Sequence, residues 1–205
     1  GIEKSKLFKS SVLIDIDSLK NPINLKRNKK KYFIIYGQQR KIKGWHLLKK
    51  IIKNSNNVNF KIAIHDKAIV DKTIKKWGLK SLVSSKKIKI ISGLSWNELK
   101  NEISQSRGVV LPSYYNTTGE FSLIEAMGLK KPVIVFNVGF HSNYLKNGKN
   151  AMVSDIGDID HFTSNIELLN DDDLLYEKIS KEAYETFKYV TSSQRTKNTF
   201  NSIFN

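Results

Sequence analysis

PSYYNTTGEFSLIEAMGLKKPVIV, residues 112–135, is the stretch that decides the fold of this chain. The apolar residues 109–111 lead into it, and it ends in a second apolar segment at residues 132–136. A polar loop and a short helical segment separate the two. Strand, loop, helix and strand form the unit from which parallel sheets are built, and such sheets bind ligands at the carboxyl ends of their strands. The loop at residues 114–119 is therefore where we expect chemistry.

Apolar runs of strand length alternate with helical patterns over most of the remaining sequence. The helical pattern that follows residue 94 begins with a capping box, in which Ser95 is the cap and Glu98 lies three residues later. This alternation predicts an α/β fold, a Rossmann-like doubly wound parallel sheet. The predicted strands lie at residues 32–36, 59–65, 87–91, 108–111, 132–136 and 151–153.

The length of 205 residues suits one well-packed α/β domain. We expect a linker or leader at residues 1–30, with a short strand or extended entry at 12–15. The Rossmann-like domain follows at residues 31–190, and a C-terminal helix at 191–205. No apolar run approaches the roughly 20 residues needed to span a bilayer, which predicts a soluble protein, and the absence of cysteine fits a reducing compartment such as the cytoplasm.

The formal charge of +16 is unevenly distributed, with +19 on residues 1–90 and −3 on residues 91–205. A basic half indicates phosphate-bearing partners, namely nucleotides, nucleic acid or an anionic membrane surface, although scattered lysines also simply solvate helix faces.

The chain contains no cysteine, which excludes disulfides and thiolate chemistry. The four histidines lack the close pairing of a zinc site, so we predict no metal.

Within residues 112–134, Pro112-Ser113, Glu125-Ala126-Met127, Gly128 and Lys131-Pro132-Val133-Ile134 resemble the signature of the retaining glycosyltransferases of family 4, the "group 1" glycosyltransferases. The resemblance covers roughly residues 30–190. It implies the C-terminal, donor-binding half of a GT-B enzyme, whose two Rossmann-like halves hold the active site between them. It also implies metal-independent sugar transfer from a nucleotide diphosphate sugar to a saccharide or lipid-linked acceptor.

The same resemblance sets the expected partners. The donor is a substrate of the UDP or GDP type, and no cofactor is implied. The N-terminal acceptor-binding half is expected to be missing, so the isolated chain should bind donor weakly and transfer nothing. Family members that act on lipid-linked acceptors suggest peripheral contact with the inner face of a membrane.

The loop after the first predicted strand carries the expected diphosphate site. Glycines and cations ahead of a helix can bind phosphate through backbone amides, the helix dipole and side-chain charge. Lys43-Gly44 matches the family's Lys-Gly, in which the Lys contacts the donor diphosphate. The family's Arg directly follows a glycine, but Gln38 follows Gly37 here and Arg40 lies two residues further on. We predict that Lys43 and Arg40 contact the diphosphate.

Glutamates supply the other expected contacts. Glu125 matches the second of the family's paired glutamates, which is associated with the ribose, and a carboxylate can accept hydrogen bonds from two vicinal hydroxyls. The first glutamate should stand at residue 117, which is Thr117, so nearby Glu120 either takes its role or is an exposed acid at the helix start. Glu120 and Lys43 are the predicted catalytic residues. The predicted donor-binding set is Arg40, Lys43, Thr117, Thr118, Gly119, Glu120, Phe121, Ser122, Leu123 and Glu125.

Two other functions are considered. The first is a noncatalytic nucleotide- or sugar-binding module that assists a partner glycosyltransferase. It is suggested by Gln38, by Thr117 and by the loop at Gly139, which lacks the family's second glycine and following acid. A nucleic-acid-binding domain is suggested by the basic first half, but no recognition motif supports it, and we predict no nucleic-acid partner. The G-x-S-x-G, P-loop and G-x-G-x-x-G motifs are absent. His65, His141 and Asn116 are interpreted as structural residues.

Overall fold

The computed structural model of the protein describes Leu19, residues 32–116 and residues 120–192. Leu19, which lies in the expected linker, is 3% exposed and packs in the core of the domain. Several expected features lie outside the described residues. They are the rest of that linker with its extended segment at 12–15, the loop residues 117–119, and the part of the expected C-terminal helix beyond residue 192.

Six parallel strands form one sheet in the described chain, in the order β3-β2-β1-β4-β5-β6. This arrangement confirms the predicted Rossmann-like α/β fold. The predicted strands are all present, and their ends differ from the prediction by at most one residue. The strands are β1 Tyr32–Ile35, β2 Asn59–Ile64, β3 Ile88–Ser92, β4 Gly108–Leu111, β5 Val133–Phe136 and β6 Met152–Ser154.

Helices connect the strands and cover both faces of the sheet. A 3-10 turn at Lys67–Ile69 comes before the helix Val70–Lys76, and Gly78, in the left-handed region at φ +64°, separates that helix from the helix Lys80–Ser84. None of the described helices combines the length and apolar character needed to cross a membrane. The helices are α1 Leu48–Asn54, α2 Val70–Lys76, α3 Lys80–Ser84, α4 Trp96–Gln105, α5 Phe121–Gly128, α6 Phe140–Tyr144, α7 Ile159–Asp171 and α8 Asp173–Val190.

The central strands are buried on both faces, which explains why they read as continuous apolar runs. In β1, Phe33 and Ile35 belong to the core cluster that includes α1 and α7. Tyr32 and Ile34 point to the opposite face and belong to the cluster that includes α5. Successive residues of a strand point to opposite faces, so one strand serves both cores.

The sheet order reverses direction at β1. The chain moves outward from β1 through β2 to β3, and then returns to place β4 on the other side of β1. The connections that leave β1 and β4 therefore lead to opposite faces of the sheet, and a crevice opens between them at the strands' carboxyl ends. This crevice is where an open α/β sheet binds its ligand.

Candidate functional site

A cleft of about 340 Å³ occupies this crevice at the carboxyl ends of β1 and β4. It is formed by the loop after β1, the loop after β4 and the first turn of α5. The described residues that line it are Ile35, Tyr36, Gly37, Gln38, Lys43, Trp45, Val110, Leu111, Pro112, Ser113, Tyr115, Glu120, Phe121 and Ser122.

Gly44 holds the two loops together. Its backbone is in the left-handed region, with φ +76°, and it ends the 3-10 turn Lys41–Lys43. A β-carbon at this position would lie 2.0 Å from the carbonyl oxygen of Pro112, so only glycine fits against that backbone. A hydrogen bond of 3.2 Å from the Tyr114 amide to the Ile42 carbonyl also joins the loops. The close approach fixes Lys43 at the floor of the cleft.

Glu120 is the centre of the polar network in the cleft. It is 5% exposed, which contradicts the interpretation of Glu120 as an exposed acid at the helix start. Its Oε1 accepts hydrogen bonds from Lys43 Nζ and from Ser113 Oγ, both at 2.9 Å. Its Oε2 lies 3.2 Å from Nε2 of His141. Three segments distant in sequence thus converge on one carboxylate.

Charge pairing determines the ionisation of this network. Burial alone would raise the pKa of Glu120, but the hydrogen bond with His141 and the charge and hydrogen bond of Lys43 hold it below its usual value. Burial also works against the Lys43 ammonium, yet the charge and hydrogen bond of Glu120, together with Tyr115, raise the pKa of Lys43. Lys43 Nζ lies 4.9 Å from the centre of the Tyr115 ring. The pair of Lys43 and Glu120 is therefore ionic at neutral pH.

His141 is a site residue that sequence reasoning missed, because it was interpreted as merely structural. It is fully buried on α6, where the sequence predicted only a turn. The available signal was its place five residues beyond the end of β5, at the same sheet edge as the loops after β1 and β4. Asn116 links the loop after β4 to the segment after β5, since its Oδ1 accepts from the Gly139 amide at 3.2 Å.

The start of α5 brings some of the predicted donor-binding residues to the cleft. Phe121, which is 62% exposed, and Ser122 both line it, and a β-carbon at Gly37 would lie 3.1 Å from Ser122 Oγ. Leu123, which the sequence placed in the donor-binding set, does not reach the cleft. Its side chain is fully buried in the core, and its amide donates to the Glu120 carbonyl at 3.0 Å, so neither group faces the cleft.

Glu125 lies one helical turn deeper and is not among the described residues that line the cleft. Its side chain is half-buried, and burial raises its pKa, an effect that a hydrogen bond with Tyr36 only partly offsets. The Tyr36 hydroxyl donates to the Ser122 carbonyl at 2.7 Å, and burial with the nearby Glu125 raises the pKa of Tyr36 well above its usual value. Glu125 therefore contacts Tyr36, which itself lines the cleft.

Arg40 is not brought into the cleft. Its side chain is exposed at the start of the 3-10 turn, and it is not among the described lining residues. Gln38 lines the cleft in its place. The predicted donor-binding residues Thr117, Thr118 and Gly119 lie outside the described residues. Of the predicted set, the structure brings Lys43, Glu120, Phe121 and Ser122 together.

The arrangement is suited to an anionic ligand. Lys43 offers an ammonium at the floor of the cleft, and the N-terminal turn of α5 points its partial positive charge toward the same space. Aromatic surface from Tyr115, Trp45 and Phe121 borders it. A ligand with phosphate at one end and a flat ring at the other matches these features.

A comparison with protein-family models identifies the family of the chain. The model of the family described as "Glycosyl transferases group 1" matches residues 17–186, more than four-fifths of the chain. A search of curated proteins by sequence gives no significant match.

Solved glycosyltransferase structures share the fold. A TarM variant of S. aureus, crystallised with fondaparinux, alpha-GlcNAc-glycerol and UDP, aligns with TM-score 0.65 at 20% identity, over 90% of this chain and 37% of that one. Anabaena HepE in complex with UDP and glucose aligns with TM-score 0.70 at 14% identity, over 92% and 52%. The C-terminal domain of the group 1 protein LpcC of Francisella tularensis aligns with TM-score 0.68 at 19% identity, over 86% and 97%.

The chain thus spans about half or less of the two longer structures and nearly all of the isolated C-terminal domain. At these identities the likeness concerns the fold, which is that of one Rossmann-like half of a GT-B glycosyltransferase.

Proposed function

The chain belongs to the group 1 glycosyl transferases, and from that premise we propose that it is the half of a retaining glycosyltransferase that binds the nucleotide-sugar donor. The cleft between β1 and β4 is the donor site in this proposal. The diphosphate lies against Lys43 and the first turn of α5, and Glu120 faces the sugar side.

One observation carries the proposal. Lys43, the lysine of the Lys-Gly pair, lies in the same cleft as the start of α5 and is held there by Gly44, which no larger residue can replace without moving Pro112. A lysine and a helix N-terminus that converge at the switch point of a parallel sheet form an anion site. The sequence predicted each part separately, and the fold unites them.

Lys43 has a defined part in the proposed reaction. The bond between the anomeric carbon and the diphosphate oxygen breaks, and that oxygen leaves with the electron pair. The acceptor hydroxyl oxygen bonds to the anomeric carbon, and its proton passes to the departing diphosphate. A fixed ammonium beside the leaving diphosphate stabilises the charge that develops there. Glu120 and Lys43 are the catalytic residues of the proposal.

The donor is proposed to be a uridine diphosphate sugar. TarM and HepE, which share the fold, were both crystallised with UDP. A GDP sugar, the other donor type that the sequence suggested, is the alternative for this same site. Glu125 is proposed to reach the ribose, which requires the Tyr36 and Ser122 side of the cleft to open toward it.

The acceptor, a saccharide or lipid-linked sugar, is proposed to bind a second Rossmann-like domain that faces this cleft. By this proposal the enzyme acts in polysaccharide biosynthesis in the cytoplasm, with peripheral contact at the inner face of the membrane. The described chain alone then binds donor weakly and transfers nothing.

Calorimetric titration with UDP, GDP and ADP tests the proposal. Lys43→Met removes the ammonium but keeps the stem, and Lys41→Met is the matched control, because Lys41 is exposed in the same 3-10 turn. A hydrogen bond to a charged group is worth roughly 1.5–3 kcal/mol, so Lys43→Met should weaken UDP binding about ten- to hundredfold while Lys41→Met leaves it unchanged. Equal losses in both variants, or no binding by wild type, would contradict the proposal.

The second candidate is a noncatalytic binding module that assists a partner glycosyltransferase. It is favoured by Gln38, a neutral residue that lines the cleft at the position where the family carries Arg. The two candidates separate when the acceptor half is supplied together with a UDP sugar. The donor-binding half of an enzyme then consumes the sugar nucleotide. A noncatalytic module binds UDP but does not consume the sugar nucleotide, even when Thr117→Glu restores the family's first glutamate.

A further inference from the structure

His141 makes two hydrogen bonds that fix where its protons lie. The ring is fully buried, with Nδ1 2.9 Å from the carbonyl oxygen of Phe136 at the end of β5. A carbonyl oxygen only accepts, so Nδ1 carries a proton. The amide of His141 donates to the Val138 carbonyl at 2.8 Å, which anchors the residue at the start of α6.

The other ring nitrogen faces Glu120. Nε2 lies 3.2 Å from Oε2. If Nε2 bore only a lone pair, it would face the lone pairs of the carboxylate, which is repulsive at this distance. A proton must therefore lie between them, either on an imidazolium or on a carboxylic acid.

The second oxygen of Glu120 decides between the two. Oε1 already accepts from the Lys43 ammonium and the Ser113 hydroxyl, both at 2.9 Å, which is the environment of an ionised carboxylate. The shared proton then belongs to His141. The charged groups that the structure places on this network are Glu120, from the segment before α5, and Lys43, from the loop after β1. The other groups that face the network are the Phe136 carbonyl from β5, the Ser113 hydroxyl and the Tyr115 ring after β4, and the Tyr36 hydroxyl after β1.

We propose that His141 is a positioning residue, whose imidazolium orients the Glu120 carboxylate and leaves the cleft floor with one net positive charge for the donor diphosphate. The proposal rests on the proposed function of the cleft. Lys43 and Glu120 alone form a neutral pair, and Gln38 adds no charge, so the surplus charge depends on the second proton of His141. Donor binding then depends on His141 carrying both ring protons.

The protonation of the ring is tested without any donor. Nitrogen NMR of the imidazole rings resolves four histidines, and the signal lost in His141→Gln identifies His141. At neutral pH we expect protons on both Nδ1 and Nε2 of the wild type, and on Nδ1 alone in Glu120→Gln. A neutral ring in the wild type at neutral pH would overturn the proposal. Failure of the proposed function leaves this spectrum unchanged.

Titration with UDP over a range of pH tests the consequence. His141→Gln keeps a donor for Glu120 but cannot take up a charge, and His161→Gln is the matched control on the exposed surface of α7. We expect His141→Gln to bind UDP about tenfold more weakly than wild type and to retain only the pH dependence that comes from the terminal phosphate of UDP, and His161→Gln to match wild type. If His141→Gln binds UDP with the affinity and pH profile of the wild type, His141 only packs and the proposal fails. If it does not fold, the variants His46→Gln, His65→Gln and His161→Gln assign the other three rings, and the remaining signal of the wild-type spectrum decides.

Discussion

Replacement of Gly44 by alanine tests how the cleft is built. The β-carbon that this change adds would lie 2.0 Å from the Pro112 carbonyl oxygen and 2.6 Å from its carbon, far inside contact distance. Both atoms belong to the backbone, so no side-chain rotation can relieve the overlap. The loop after β4 must move away, which also strains the hydrogen bond from the Tyr114 amide to the Ile42 carbonyl.

Gly148 provides a matched control. Its φ of +68° is close to the +76° of Gly44, but a β-carbon there meets nothing within 4 Å. Alanine at Gly148 should lose about 1–2 kcal/mol from the left-handed backbone alone. Alanine at Gly44 carries the same backbone penalty and a further overpacking penalty of about 1–3 kcal/mol. The two variants should therefore differ by about 2 kcal/mol, which is roughly 4–8 °C in Tm for a chain of this size.

Urea and thermal unfolding of both variants measure this difference, and titration with UDP reports the state of the cleft. Gly44→Ala should unfold earlier than Gly148→Ala and lose UDP binding, while Gly148→Ala retains it. Equal Tm values for the two variants would refute the reasoning, because the contact with Pro112 would then carry no energy.

Three further predictions concern the carboxylates of the site. In a double-mutant cycle, Lys43→Met and Glu120→Gln should show a coupling of about 2 kcal/mol in unfolding free energy, and additivity within about 0.5 kcal/mol would argue against the ion pair. Because the pKa of Glu120 lies below its usual 4.5, its stabilisation is complete above that pH and is lost on acidification. Wild type should thus lose stability more steeply than Glu120→Gln as the pH falls, and parallel curves would be inconsistent with this. Because burial raises the pKa of Glu125, its ionised form destabilises the fold at neutral pH. Glu125→Gln should therefore unfold at higher urea concentration there yet bind UDP more weakly, and lower stability than wild type would contradict this.

The strands were predictable because their burial leaves a direct mark on the sequence. A strand covered on both faces is a continuous apolar run, as in Tyr32–Ile35 and Val133–Phe136, and the structure places both in the sheet centre. The parallel direction of the strands follows from the alternation of strands and helices. Short helices such as α3 and α6, five residues each, leave too few periodic positions to be recognised.

The site was predicted only in part, because its side chains meet through the fold rather than along the sequence. Lys43 and Glu120 are 77 residues apart, and their pairing depends on β1 and β4 being neighbours. His141 joins them from beyond β5, and no local pattern marks it. Leu123 could have been assigned correctly, because Leu123, Ile124 and Met127 repeat at helical spacing and so belong to the core.

The structure of the chain with bound UDP tests the central claim most directly. The account predicts that the diphosphate lies in the cleft between β1 and β4, with a phosphate oxygen about 3 Å from Lys43 Nζ and next to the first turn of α5. UDP bound outside this cleft, or a diphosphate without contact to Lys43 while the pair with Glu120 persists, would contradict it.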